Sequence, residues 1–486
     1  MKKILIGAVV LAALLFGVGP FAVGVLSEKQ IKASLKEARG ADVGVIAELR
    51  DHNRGFLTST GTILVAYTQE QAEAFVASVD TDAEQPMSPE FRAEFVGYMT
   101  EGLPLRYTMT HGPVLFDRGF GFGANDARVT VGDVDWASEA KEFLEVDELF
   151  LVEGRTGFTG NGSFDFSMPA FDIEDEDSSG TMMSAGVTGS GTWHQGKRLL
   201  NAEFTAPKFA FKDPEANLAV DNAVFNVSST LPVNGVSLGT TSMHFGTIAM
   251  TFDEGDDVIM DGFRMDAEVS EKDGGKLLDM VTTLAMPNAT FGEDKVSDFK
   301  IVMQMNDIDK DAANRFQEWA NNVSEDDFNE QEMNELLHNV LSKGMFVAIP
   351  EMNITVNGDS MSMTSGVRTD AAKVPDLDGF FLMDIPMWME ILSGDLNFSA
   401  DESLALNMAT ATLVSQLVEQ IPPEQEMDPA ELGALAEQQA PMFLDTLVQQ
   451  GMIVRTDSGY EGTYGYENGI IKLNDIEAPA EMFFGP

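Results

Sequence analysis

The sequence predicts a mainly β (α+β) protein: an elongated antiparallel sheet with helical inserts and an N-terminal transmembrane helix. Three observations lead there. Past residue 150 apolar side chains recur with period two, as in Phe263, Met265, Ala267 and Val269 against Arg264, Asp266, Glu268 and Ser270, the alternation of a half-buried strand. Asn-Gly pairs stand between strand-like runs at 161–162, 234–235, 357–358 and 468–469, and that dipeptide favours the two-residue turn of a hairpin. Ahead of all this comes one long apolar run.

That run, Ile4 to Leu26, is 23 residues without a polar or charged side chain. As a helix it would reach about 34 Å, against a hydrocarbon core of about 30 Å. Lys2 and Lys3 would hold the amino terminus in the cytoplasm, so 1–26 reads as a single-pass inner-membrane anchor and the remainder as a periplasmic ectodomain. A cleaved signal peptide is the alternative, since Ala22-Val23-Gly24 offers small residues for a peptidase, although a signal core is usually only about 7 to 15 residues. Residues 27–40 read as a helical stalk, with Ile31 and Leu35 one turn apart and Gly40 where a C′ glycine belongs.

Residues 41–308 read as a β-rich region interrupted by a helix near 88–100. Ser88-Pro89-Glu90 supplies an N-cap and an N1 proline, and Phe91, Phe95 and Met99 form a stripe. A helical insert follows at 309–346, with Phe316 and Trp319 in its first half and Leu336, Leu337, Val340 and Leu341 in its second. The alternation returns over 347–400, where Met352, Ile354 and Val356 oppose Asn353, Thr355 and Asn357. Residues 401–451 read as a helical pair; Asp428-Pro429-Ala430-Glu431 caps its second member, Pro441 is expected to kink or restart it, and Gly451 ends it. Residues 452–486 close the chain as a hairpin. No repeat of fixed period is visible.

Composition narrows the chemistry. With 79 acidic and 30 basic side chains the formal charge is −49, which opposes a phosphate backbone, so no nucleic-acid partner is expected. Beyond the anchor, 28 bases face 79 acids, a charge of −51, and such a domain stands off an anionic bilayer. The absence of cysteine removes disulfides, thiol catalysis and a lipidated cysteine. The five histidines, His52, His111, His194, His244 and His338, are scattered, and no HExxH, GxSxG or Walker motif is present. Gly119-Phe120-Gly121-Phe122-Gly123 leads into strand-like residues rather than a helix, unlike a dinucleotide fingerprint. We therefore expect no enzyme, no catalytic residues and no cofactor.

Asp307, Asp309, Asp311 and Glu318 match ligand positions of a calcium-binding loop, but Ala312 stands where its glycine belongs. They read instead as the acidic first turn of a helix, and no metal is assigned. The 28 methionines fit either a core filled by adaptable side chains or an apolar groove for acyl chains. If a groove exists, its expected lining includes Phe263, Met265, Phe299, Ile301 and Met303.

Several short segments taken together resemble one known family. The Lys-Lys anchor, Arg54-Gly55-Phe56-Leu57-Thr58-Ser59, His111-Gly112-Pro113 and the terminal Tyr460, Tyr464, Tyr466, Asn468, Gly469, Leu473 and Asn474 are similar in order to the YdgA-like bacterial envelope proteins. That family is a domain of unknown function expected to sit in the inner membrane, and the resemblance implies no catalytic residues. It departs at the end, where Asn474-Asp475 stands in place of Asn-Gly. His111-Gly112-Pro113 reads as a structural corner, a ligand-contacting histidine being the alternative. The function expected from the whole is a non-enzymatic scaffold or interaction module of the envelope. The alternative is a carrier of lipid or other acyl-bearing molecules in a groove of the sheet. Partners would be the membrane, lipid or envelope proteins.

Overall fold

The computed structural model describes residues 45–479, apart from 55–57, 82–86, 112–113, 116–117, 119, 123–124, 133, 158, 176–179, 215, 231–234, 254, 323–328, 383, 421–428 and 475. The expected anchor and stalk therefore lie outside the described residues. Among the described residues no helix is long and apolar enough to cross a membrane. The chain is mainly β, every strand pair whose register is given is antiparallel, and several helices interrupt the order. It divides into two compact units, 1–254 with 317–324 and 255–316 with 325–486. The division at 254 falls within the stretch 41–308 that the sequence reads as β-rich, because it follows contacts between distant strands and not local composition.

The first unit carries β1 (Val45–Arg54), β2 (Thr58–Tyr67), β3 (Leu103–His111), β4 (Val114–Leu115), β5 (Gly121–Phe122), β6 (Asn125–Val131), β7 (Leu151–Thr156), β8 (Gly162–Met168), β9 (Phe171–Asp175), β10 (Gly180–Ser184), β11 (Val187–His194), β12 (Leu199–Lys212), β13 (Ala216–Thr230), β14 (Gly239–His244) and β15 (Thr247–Phe252). Its sheet runs β1-β2-β3-β6-β7-β8-β11-β12-β13. β10 extends β11 along β12, and β14 and β15 lie end to end along β13.

Among the described residues, this unit carries the α-helices α1 (Gln69–Thr81), α2 (Pro89–Glu101) and α3 (Asp135–Phe143). The α2 start is as expected: Pro89 sits in the first turn and the Ser88 hydroxyl accepts from the Phe91 amide at 3.2 Å. The sequence reading missed α1 and α3. Among the described residues the buried positions are Ala72 and Val76 in one, a small pair that writes little apolar stripe, and Ala137 and Ala140 in the other, where Trp136 and Phe143 also pack against the core. The core of the unit lies on one sheet face, where Tyr107, Val129, Val152, Phe164, Phe166, Trp193 and Leu200 pack with Ala137, Ala140, Leu149 and Phe150.

The second unit begins with β16 (Val258–Asp261), β17 (Arg264–Lys272), β18 (Leu277–Phe291) and β19 (Asp294–Asp309), then α4 (Lys310–Asn322), whose end falls with the first unit, and α5 (Glu330–Leu341). It continues with β20 (Phe346–Val356), β21 (Asp359–Thr369), α6 (Ile385–Ile391), β22 (Leu392–Asp401), α7 (Glu402–Gln420), α8 (Pro429–Gln449), β23 (Val454–Arg455), β24 (Gly459–Glu467), β25 (Ile470–Leu473) and β26 (Ile476–Pro479). Its sheet runs β17-β18-β19-β20-β21-β22-β24-β25-β26, with β16 extending β17 along β18. α6 was not expected within 347–400. Pro441 lies inside a continuous α8 and does not restart it.

Two of the expected Asn-Gly hairpins form as two-residue turns. Asn357-Gly358 has φ of 54° and 96° and Asn468-Gly469 has 51° and 76°, both residues being left-handed as a type I′ turn requires. Asn161-Gly162 instead closes a longer β7–β8 loop, with Gly157 N donating to Asn161 O at 2.7 Å, and Asn234 lies outside the described residues. Each unit also contains a break that no local motif announced. In the first, Pro207 of β12 falls opposite Asn222 of β13, which has φ of 53°, and Gly246, between β14 and β15, donates to Asp221 O at 2.9 Å. In the second, Pro287 of β18 falls opposite Asp298 of β19, with φ of 54°, and a Cβ on Gly262, between β16 and β17, would lie 3.3 Å from the Pro287 ring. Proline lacks the ladder donor and a left-handed residue reverses the side-chain alternation. Met286 and Ala289, three residues apart across Pro287, are accordingly both buried.

Candidate functional site

The feature that sets the second unit apart is one apolar sheet face left open over several strands. Met265, Leu284, Ile301, Met352, Met363 and Phe398 are register partners in turn from β17 to β22. Five inter-strand steps of about 4.8 Å make this row about 24 Å long. Val269, Met280, Met305, Val347 and Val367 form a second row across five strands on the same face. Neither row contains an ionisable group. The opposite face is polar: Lys300 pairs with Glu351 at 2.6 Å, beside Asn353, Ser362 and Ser399.

Among the described residues, helices cover the ends of this face but not its middle. At the end of β22, Met361, Phe398, Ala400 and Tyr460 pack against the α7–α8 pair through Ala405, Ala409, Ala436 and Leu444. At the start of β22, Leu341, Phe380, Met387 and Ile391 form a separate cluster with Leu337 and Trp388. Between them Met265 stays 42% exposed, Met303 43%, Met305 38%, Val347 38% and Val367 46%. Full burial of one such side chain is worth about 1.5 to 3 kcal/mol, so the open face favours an apolar cover. A hollow of about 570 Å³ lies on the opposite, polar face, lined by Asp298, Lys300, Glu351, Asn353, Ser362 and Ser399 among others.

The expected groove residues fall out as follows. Met265, Phe299, Ile301 and Met303 share this face, with Phe299 opposite Met286. Phe263 lies outside the strand, in the break before Arg264. Leu284, Met280, Met305, Val347, Met352, Met363 and Val367 belong to the same face and were not expected in the groove. Period two places each on an apolar side, yet only the register joins the strands into rows.

The terminal motif residues are structural ties. The Tyr464 hydroxyl donates to Met452 O at 2.8 Å and the Tyr466 hydroxyl to Met389 O. Asn474 donates to Gly451 O and Met452 O, holding the exit from α8. Asn468 accepts from Lys373 Nζ at 2.5 Å, and Gly469 completes the turn. Burial pushes the Tyr464 and Tyr466 hydroxyls above their ordinary pKa.

Of the other motif residues, Arg54 and His111 stand at one end of the first unit's sheet. Arg54 ends β1 opposite Ser59, and His111 ends β3 opposite Asn125, one residue on from the Thr58–Thr110 pair. The side chains of Arg54 and His111, and all of Gly55, Phe56, Gly112 and Pro113, lie outside the described residues. Nearby, Arg155 holds Asp126 by two hydrogen bonds of 2.6 Å, with Asp126 almost wholly buried. Of the calcium-loop candidates, Asp309 accepts from the Ala312 amide at 2.9 Å and so caps α4, and Asp307 pairs with Lys272 at 2.6 Å.

The model of a bacterial protein family of unknown function, DUF945, matches residues 1–480. The chain belongs to that family. No curated protein and no solved structure matches the chain, so for this DUF945 member the functional reading rests on the chain's own geometry.

Proposed function

We propose that the open face of the second unit binds the hydrocarbon chain of a lipid or another acyl-bearing molecule, and that the protein carries or presents it without catalysing a reaction. The observation that carries this reading is the unbroken apolar row from Met265 to Phe398, with exposed Met265 beginning it and exposed Met303 and Met305 beside it. From Met265 to Met363, short of the helix-covered Phe398, four inter-strand steps make about 19 Å, which exceeds one leaflet of a hydrocarbon core, roughly half of 30 Å, so a single acyl chain fits along it. Unbranched methionines adapt to chains of varied shape. A second copy of this protein is a poor occupant, because each copy brings a formal charge of −49 and like charges repel. A scaffold, the first expectation from sequence, requires this face to pack dry, and its exposure argues the other way. The apolar run at 4–26 and the likeness to YdgA-like envelope proteins support an inner-membrane tether with the domain in the periplasm.

A fluorescent fatty acid titrated into the purified protein tests the reading. Saturable uptake by the wild type is expected. Ile301→Asp, at the centre of the row, should weaken it by about tenfold or more, since an unpaired charge on an apolar surface costs well over 1.4 kcal/mol. Unchanged uptake by a folded Ile301→Asp variant would remove the second unit from consideration.

A further inference from the structure

Resting on that reading, we infer that the first unit holds a second acyl-binding strip along its own break. The two units repeat one device: a proline in a long strand, a left-handed Asn or Asp opposite it in the next long strand, and a glycine in the gap of the flanking broken strand. In the first unit these are Pro207, Asn222 and Gly246, and in the second Pro287, Asp298 and Gly262. The device reverses the side-chain alternation, so apolar residues on both sides of the break reach the same face. Phe204, Phe209 and Phe211 of β12 all pack against the first unit's core although 204 and 209 differ in parity, and the change falls at Pro207.

Apolar partners continue outward from there. On one side of the break the order is Phe204, Phe225 and Met243; on the other it is Phe211, Leu218 and Met250, with Phe209, Val220 and Ile248 beside them. Phe225, Met243, Leu218 and Met250 are half-buried and Phe252 is 41% exposed. None of these positions is ionisable. The occupant is a hydrocarbon chain for the same reason as in the second unit: an acidic partner or a second copy meets a strongly negative molecule, whereas a methylene chain brings no charge. Two such strips would let one molecule hold two acyl chains, or one chain in either of two places.

The test uses the full chain in phospholipid nanodiscs, a diazirine-bearing fatty acid as probe, and peptide mass spectrometry to map the adducts after irradiation. The inference expects adducts on peptides from β12, β13 and β15 as well as on those from β17 to β22. Met250→Asp should lower labelling of the first group about tenfold and leave the second unchanged, and Ile301→Asp should do the reverse. Adducts confined to β17–β22 in the wild type would overturn the second strip while leaving the proposed function standing. Adducts in neither group would overturn both.

Discussion

Tyr107 lies over Gly61 in the first unit, and its hydroxyl meets Nδ1 of His52 at 2.5 Å. A Cβ on Gly61 would come within 2.4 Å of that hydroxyl and 2.3 Å of the Asp51 carbonyl, closer than real Cβ atoms approach. Gly61→Ala should therefore destabilise the fold by about 1 to 3 kcal/mol, read as a lower midpoint in denaturant. At Tyr464 the sign runs through pH. Burial raises the hydroxyl pKa in the folded state above its ordinary value of 10.0, so the stabilisation is complete below that value and is lost as pH rises through the folded pKa. Tyr464→Phe should cost about 1 kcal/mol at neutral pH through the lost bond to Met452. It should also flatten the fall in stability above pH 10.0, measured by unfolding at a series of alkaline pH values. A wild type whose stability does not fall there would contradict the role given to that hydroxyl.

At the scale of elements, the breaks test the geometry most sharply. Asp298 has φ of 54°, a conformation that asparagine, aspartate and glycine tolerate and a β-branched residue does not. Asp298→Val should cost about 1 to 2 kcal/mol and Asp298→Gly little by comparison; equal losses for the two would show that φ is not what the position needs. The alternation of Met265, Ala267 and Val269, or of Ile301 and Met303, is local chemistry and was legible in the sequence, as were the Ser88-Pro89 helix start and the turns at Asn357-Gly358 and Asn468-Gly469. The breaks were not legible, because Pro287 and Asp298 acquire their meaning from standing opposite one another across a hairpin. The rows of the candidate site were hidden for the same reason. Four of the five residues named from periodicity, Met265, Phe299, Ile301 and Met303, share one sheet face, but the partners that join them into a continuous surface, such as Leu284 and Met352, depend on register.

For the whole molecule, the charge and the apolar faces bear on one another. A formal charge of −49 disfavours association of copies through the open faces, so the protein should stay dispersed at low ionic strength and self-associate as salt screens the repulsion. Sedimentation between low and high salt reads this directly, and association at low salt that dissolves at high salt would contradict it. Composition alone disclosed that charge, whereas the division into two units arises from long-range pairing. The central claim is that the open face of the second unit exists to hold an acyl chain. Its most direct test is quantitative mass spectrometry of lipid extracted from the purified wild-type chain and from Ile301→Asp. The account predicts reproducible, near-stoichiometric acyl-bearing molecules with the wild type and a loss of about tenfold in the variant; equal lipid with both proteins, or none with the wild type, would contradict it.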